Sequence, residues 1–400
     1  MGNPRDFLSV LIILSLPLQF SFLLNFYTNT ESDIQKNWDM SKISDLQLDI
    51  ANRISTYFAS ASAIVTIFLS YKFKKRRLPI TINFIIEGIV WLVYLAISDK
   101  LIWLVIVLRA INGILLGFFH SVHISYIMHF AEKESLGHHG CLVQFAMFLS
   151  LCFLNFLTFA VSWRTLAVIL SIQSFLFAGL IWLVPESPIQ QKSSSHAYIF
   201  HSPNFKNLLI MITIMFVQCF SGIGFMIDNC PRLMSSIGID IAPELQSVLT
   251  NFIGCLATLV ASFIIDIVSV RYMWGLSTFG MVLSLIIYDI TLKVVCPNWL
   301  GVFSVFLYFL FFGLGSGPIP WLLPGVIFQE PVMIESGCIN CFMNRFMDIW
   351  FGYLLTYITE SVGEFGSVIF NAGFSLAGCL FGLFAIPTMK NVYRENTTLL

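Results

Sequence analysis

Apolar residues run through this chain in long unbroken blocks rather than alternating singly with polar ones. Twelve blocks approach or exceed the roughly 20 residues that an α-helix needs to cross a hydrocarbon core. They lie near 7–27, 53–71, 79–98, 101–123, 141–162, 165–184, 207–228, 246–266, 273–293, 299–321, 338–358 and 366–387. Continuous runs of this kind predict helices, because the strands of a membrane barrel alternate over about ten residues. The weakest block is 338–358, interrupted by Asn340, Asn344, Arg345 and Asp348. An even number of spans puts both chain ends on one side. The basic run Lys72, Lys74, Lys75, Arg76, Arg77 marks that side as cytoplasmic. Twelve Lys/Arg then fall inside and seven outside. No small-x-small cleavage site follows the first block, so it is expected to stay as a helix rather than act as a signal peptide. The acidic stretch 31–49 is expected to be an external loop.

Composition narrows the class. Of 400 residues 57% are hydrophobic and 11% charged, and the mean hydropathy is +0.84. Ordinary globular domains are about 25% charged, so this chain has too little polar surface for a soluble enzyme or a disordered scaffold. A net charge of -1 supplies no field for nucleic acid. The nine cysteines show no disulfide spacing, and Cys338 and Cys341 read as packing rather than metal or redox groups. His120, His123 and His129 put only two imidazoles on one helical face, too few for a metal site. With no HExxH, nucleophile elbow or P-loop, a membrane enzyme is not expected, and neither is a cofactor. Asn396, the only glycosylation sequon, falls on the expected cytoplasmic tail.

The chain also repeats itself loosely. Arg76 and Arg271, each just after the second helix of a half, are 195 positions apart, and Pro185 and Pro387, after the sixth, are 202 apart. This predicts an all-α integral membrane protein of two pseudo-symmetric six-helix bundles, 1–188 and 207–400, joined by a short polar cytoplasmic linker at 189–206.

Several motifs lie on these blocks. Gly315-Ser316-Gly317-Pro318-Ile319-Pro320-Trp321 falls in the tenth and Pro185-Glu186-Ser187-Pro188 follows the sixth. Arg109, Gly113, Gly117, Tyr126, Ile127, Ala131, Lys133, Glu134 and Gly137 are set along and after the fourth. Gln218, Ser221, Gly222 and Ile223 lie in the seventh, Leu18-Gln19-Phe20 in the first, and Trp163-Arg164 precedes the sixth. Together they resemble the sugar porter family of the major facilitator superfamily, especially its facilitative glucose-transporter branch, over nearly the whole chain. The resemblance implies the major facilitator fold. Independently, Gly and Pro in the tenth helix loosen its hydrogen-bond ladder, tolerable only in a protein-buried or cavity-lining position. Gly113 and Gly117 suit close helix–helix approach.

A neutral sugar needs amides that both donate and accept, and an aromatic face. The resemblance places these roles on Gln144, Gln218, Trp321 and Asn344. Asn251 sits about one turn before the family's asparagine, where this chain has Gly254. An amide inside an apolar span needs a partner, either substrate or a neighbouring helix. The chain departs from the family pattern at Cys219, Gly224 and Arg345. Arg345 either pairs with Asp348 three residues on or faces the pore and selects an anion. Glu87 is either packed against a polar neighbour or functional.

The remaining motif residues, implied to serve gating and the fold, are Arg76, Arg109, Glu186, Asp266, Arg271, Gly317, Pro318 and Pro320. Charges that the resemblance would place at the cytoplasmic gate are replaced by Tyr71, His129, Leu136, Val326, Met333 and Ile189. Fewer ion pairs are therefore expected to hold that gate shut. The leading functional expectation is facilitative transport of a hexose or related sugar by alternating access. Proton coupling needs a titratable carboxylate near the site, and the 7–27 segment of helix one holds none. Uniport is therefore expected over symport, with Glu87 the residue that could reverse this. The alternatives are a carrier of another small solute, an anion among the candidates, or a transport-inactive relative acting as a receptor or interaction protein. The expected partners are a small-molecule substrate and the lipid bilayer, with no nucleic acid, and the expected location is the plasma membrane.

Overall fold

The computed structural model describes residues 4–36, 38–39, 41, 43–72, 75–132, 135–186, 199–201, 204–227, 242–294 and 296–386. Its helices are α1 (Pro4–Ile13 and Ser15–Gln35, with a turn at Leu14), α2 (Asp45–Lys72), α3 (Arg77–Tyr94), α4 (Ile102–His129), α5 (Leu136–Ala160) and α6 (Trp163–Leu180). They continue as α7 (Asn204–Phe220), α8 (Pro243–Val268), α9 (Val270–Lys293) and α10, which runs in pieces from Asn298 to Ile327. The last helical stretch, Glu330–Ala385, is broken at Gly363, whose φ of 76° no helix accommodates. Only a residue without Cβ takes that conformation cheaply, and the break separates α11 (330–362) from α12 (364–385). Each of the twelve apolar blocks coincides with one helix.

The boundary that differs from expectation is the first loop. Helix α1 continues to Gln35 and α2 begins at Asp45, so much of the acidic 31–49 stretch is helical. Side-chain bonds extend the two helices past the apolar block. Gln35 Nε2 donates to Glu31 Oε1 at 2.8 Å, and Asn52 Nδ2 reaches the same carboxylate across the pair.

In the first half, α2 packs on α4, α3 on α6 and α1 on α5; in the second, α9 meets α10 and α8 meets α10. The α2–α4 seam is close because Gly113 and Gly117 leave room for the backbone carbonyls of Ser55 and Ala59. Arg109 is a structural fastening beside it. Its Nε donates to Ala51 O at 3.0 Å, one terminal nitrogen to Leu24 O at 2.6 Å and the other to Asn52 O at 2.9 Å. One buried guanidinium thus ties α4 to both α1 and α2 through main-chain oxygens.

The loose internal repeat has a structural counterpart. Glu186, after α6, accepts the Arg76 backbone N–H at 3.0 Å and pairs with Arg77 Nε at 3.3 Å, joining the start of α3 to the end of α6. Arg271 Nε donates to Ile386 O at 2.7 Å, joining the start of α9 to the end of α12. The face that carries these contacts is called the basic face below. Ser187, Pro188, Ile189, Lys133, Glu134, Pro387 and most of the 189–206 linker lie outside the described residues.

Candidate functional site

The site is built around the interruption of α10. Its first piece ends at Phe311, residues Phe312–Ser316 form a wide π turn, and the helix restarts at Pro318. Gly317 N–H reaches back five residues to Phe312 O at 2.8 Å. Pro320 has no N–H for Ser316 O, and Pro324 has none for Pro320 O. Orphaned carbonyls in an apolar setting must find donors elsewhere. Gln218 of α7 donates its Nε2 to Ser316 O and Gly317 O, both at 2.9 Å, and Asn340 of α11 donates to Pro320 O at 2.9 Å. Ser277 of α9 gives its hydroxyl proton to Phe311 O at 2.6 Å and accepts Ser316 N–H at 2.7 Å. Thr258 of α8 bonds Gly313 O at 3.1 Å. Four neighbouring helices therefore hold the broken backbone in place.

Beside this break lies a cavity of about 350 Å³ between the two sets of six helices. Gln144, Gln218, Trp321 and Asn344, from α5, α7, α10 and α11, all line it. Gln218 commits its nitrogen to α10, while its Oε1 finds no hydrogen-bond partner among the described residues. Gln144 Oε1 is likewise buried and unpartnered among them. Asn344 Nδ2 lies 3.2 Å from Met215 Sδ, and its Oδ1 accepts from Arg345. Arg345 also lines the cavity, pairs with Asp348 at 3.5 Å and stacks over Phe20 at 5.2 Å. The ion pair and the pore-facing position, weighed as alternatives from sequence, occur together.

Asn251 is not brought to this cavity. It is buried in α8 and donates to Ser247 O at 2.8 Å, four residues back on its own helix. Glu87 is also elsewhere. It is fully buried in α3 and accepts Trp91 Nε1–H at 3.3 Å.

Sequence reasoning missed Asn25 and Thr28 on α1 and Asn52 and Thr56 on α2, which line the same cavity. Their i, i+3 and i, i+4 spacing in otherwise apolar helices was the available signal. His120 and His123 flank Trp321, with ring centroids at 5.4 and 6.0 Å, but do not line the cavity. Cys338 and Cys341 are buried where α11 meets α4, and Cys341 Sγ is 3.9 Å from Gly117 O.

Towards the basic face the halves close on each other. Asp266, near the end of α8, accepts Gly137 N–H and His138 N–H, both at 2.8 Å. These are first-turn amides of α5, which have no acceptor within their own helix and favour a negative charge. His138 Nδ1 lies 3.1 Å from Ser262 O. Below the cavity Leu322 packs directly over Gly140, and Met128 over Gly325. Between the halves on this side lie one carboxylate on backbone amides and apolar side chains fitted over glycines. On the other side the lining includes Thr28, Thr56 and Ile227, and the Tyr57 hydroxyl of α2 meets the Tyr353 hydroxyl of α11 at 2.9 Å.

Among the described residues, twelve apolar helices, a broken α10 and a polar cavity between two halves make up an all-α, multi-pass membrane architecture. Residues 189–399 match the family described as Sugar (and other) transporter, and the chain belongs to that family. Among curated relatives, the facilitated trehalose transporter Tret1 of Anopheles gambiae is 24% identical over 212 residues, covering 51% of this chain and 27% of that protein. Trehalose transporter 1 of Drosophila melanogaster is 26% identical over 204 residues, covering 48% of this chain and 24% of that protein. The chain spans about a quarter of the length of these two relatives. Among solved structures, the proton:xylose symporter XylE bound to 6-bromo-6-deoxy-D-glucose aligns with a TM-score of 0.82 at 14% identity, covering 97% of both chains. An inward-open conformation of XylE from E. coli aligns with a TM-score of 0.71 at 16% identity, covering 96% of this chain and 97% of that one.

Proposed function

We propose that this protein is a facilitative carrier of a hexose or related sugar that works by rocking two six-helix bundles about the central cavity. The observation that carries this reading is the lining itself: unpartnered amide oxygens of Gln144 and Gln218 beside Trp321 in a cavity next to a broken helix. Amide oxygens accept from sugar hydroxyls, and the indole offers a face to the ring. In this reading Gln144, Gln218, Trp321 and Asn344 contact substrate, and Asn251 supports α8. The bundles are 1–188 and 207–400, with 189–206 as a cytoplasmic linker. The basic face is cytoplasmic, by the positive-inside bias, and the carrier sits in the plasma membrane.

In this reading alternating access turns on the contacts between the halves on the basic face. With substrate bound, the halves rock, the Asp266 cap on α5 separates and the cavity closes on its outer side. Uniport is favoured over proton symport because α1 offers no carboxylate to the cavity and Glu87 lies apart from it. Asp348 does line the cavity, but it is paired with Arg345.

Uptake of radiolabelled glucose, fructose and trehalose into transporter-null cells expressing the full chain tests the proposal. Saturable uptake of at least one of them, running down its gradient and indifferent to a proton ionophore, is expected. No uptake of any sugar despite surface expression overturns it.

A further inference from the structure

We infer that the preferred substrate is a sugar carrying a single carboxylate, of the uronate or aldonate kind, and that Arg345 binds that carboxylate. The inference rests on the sugar-carrier reading and narrows its substrate class.

The first observation is the state of Arg345. Its residue is only 4% exposed, so its guanidinium has lost most of its water. One terminal nitrogen donates to Asn344 Oδ1, and the other stands 3.5 Å from Asp348. Nε finds no partner among the described residues. Asp348 itself is 46% exposed at its side chain, so it neutralises the arginine from a solvated position. A buried cation held this loosely is costly unless something else completes its shell.

The second observation is the charge balance of the cavity. Among the described lining residues two are cationic, Arg109 and Arg345, and one is anionic, Asp348. Arg109 spends its donors on the carbonyls of Leu24, Ala51 and Asn52, which satisfy hydrogen bonds without cancelling charge. By count the lining carries an excess of one positive charge in a low-dielectric cleft, where fields are focused, while Glu31 acts on Arg109 from outside it. One excess charge suits a monoanion better than a phosphate dianion, and a planar carboxylate matches a guanidinium fork.

The third observation is the pattern of unmet hydrogen bonds. Gln144 Oε1 and Gln218 Oε1 accept and need donors, whereas Arg345 Nε donates and needs an acceptor. A polyol carboxylate supplies both, hydroxyl donors for the amides and an anionic acceptor for the guanidinium.

The test compares D-glucuronate with D-glucose, using purified full-length protein for binding and proteoliposomes for transport. Wild type is expected to bind and carry glucuronate in preference to glucose. Arg345→Gln should weaken glucuronate binding roughly 10- to 100-fold, the worth of a hydrogen bond to a charged group, and weaken it more than it weakens glucose binding. Arg345→Lys should restore part of the glucuronate affinity. Asp348→Asn should tighten glucuronate binding, and this arm stands even if the arginine variants fail to fold. A wild-type preference for glucose overturns this inference and leaves the sugar-carrier reading intact. Glucuronate affinity unchanged in Arg345→Gln also overturns it. Failure to bind either compound or trehalose overturns both readings.

Discussion

The Asp266 carboxylate and the Gly137 backbone N–H meet at 2.8 Å, and this contact joins the two halves of the protein on the basic face. With the neighbouring bond to His138 it caps the first turn of α5 from another helix. Losing an N-cap costs about 0.5–2 kcal/mol, which shifts an open–closed equilibrium by roughly 2- to 30-fold. Asp266→Ala is therefore expected to open the basic face. A cysteine introduced at Leu322, which is fully buried over Gly140, should react faster with a thiol reagent in that background. An unchanged rate would show that the cap does not hold the gate.

Asn340 and Gln144 are both amides near the cavity, yet they should fail differently when truncated. Asn340 supplies the donor that Pro324 cannot give to Pro320 O. Asn340→Ala strands that carbonyl and is expected to destabilise the fold by about 1–3 kcal/mol. Thermal unfolding in detergent reads this directly, and an unchanged midpoint would remove Asn340 from the support of α10.

Gln144→Ala removes a buried oxygen that has no partner among the described residues. Its thermal stability should be unchanged or slightly raised, because no protein hydrogen bond is lost. Substrate affinity should fall about five- to tenfold, corresponding to roughly 1–1.4 kcal/mol for one hydrogen bond. Wild-type affinity in this variant would exclude Gln144 from substrate contact.

Pro320→Ala gives position 320 an N–H that can reach Ser316 O, the carbonyl now held by Gln218. Position 320 lies in the first turn of the restarted helix, where a proline costs less than the roughly 3 kcal/mol of a helix interior, so the gain toward a continuous helix is a fraction of that. The expected result is a higher melting temperature with a lower maximal transport rate, if bending at this point belongs to the transport cycle. A normal rate in a stabilised variant would assign the break to packing alone.

Much of this architecture was legible because a bilayer imposes a length and a polarity on each helix. The twelve blocks needed no knowledge of tertiary contacts. Gln144, Gln218, Trp321 and Asn344 could be picked out because polar or aromatic groups in apolar spans stand out against a motif. Asn251 also stood out, one turn off the family's position, but an asparagine can satisfy its amide on its own helix, as it does with Ser247 O. That choice depends on rotamer and neighbours, which no linear pattern records. Asn52 and Thr56 were hidden for the opposite reason, lying close to the acidic stretch that read as a loop and is largely helix. The capping role of Asp266 depends on where the first turn of α5 lands in space. Its partners are backbone amides, which every residue but proline carries, so the sequence holds no sign of them.

The glycine-fitted closure on the basic face has a consequence for how the protein responds to its medium. Exposed ion pairs weaken as salt rises, because the screening length is about 8 Å at physiological ionic strength. Here Leu322 on Gly140 and Met128 on Gly325 are apolar contacts, and Asp266 is held at short range by amides rather than by a mobile side-chain cation. Added electrolyte has little to screen in such a seal. The balance between open and closed forms should therefore stay nearly constant from dilute buffer to molar salt, with temperature rather than ionic strength as the variable that loosens it.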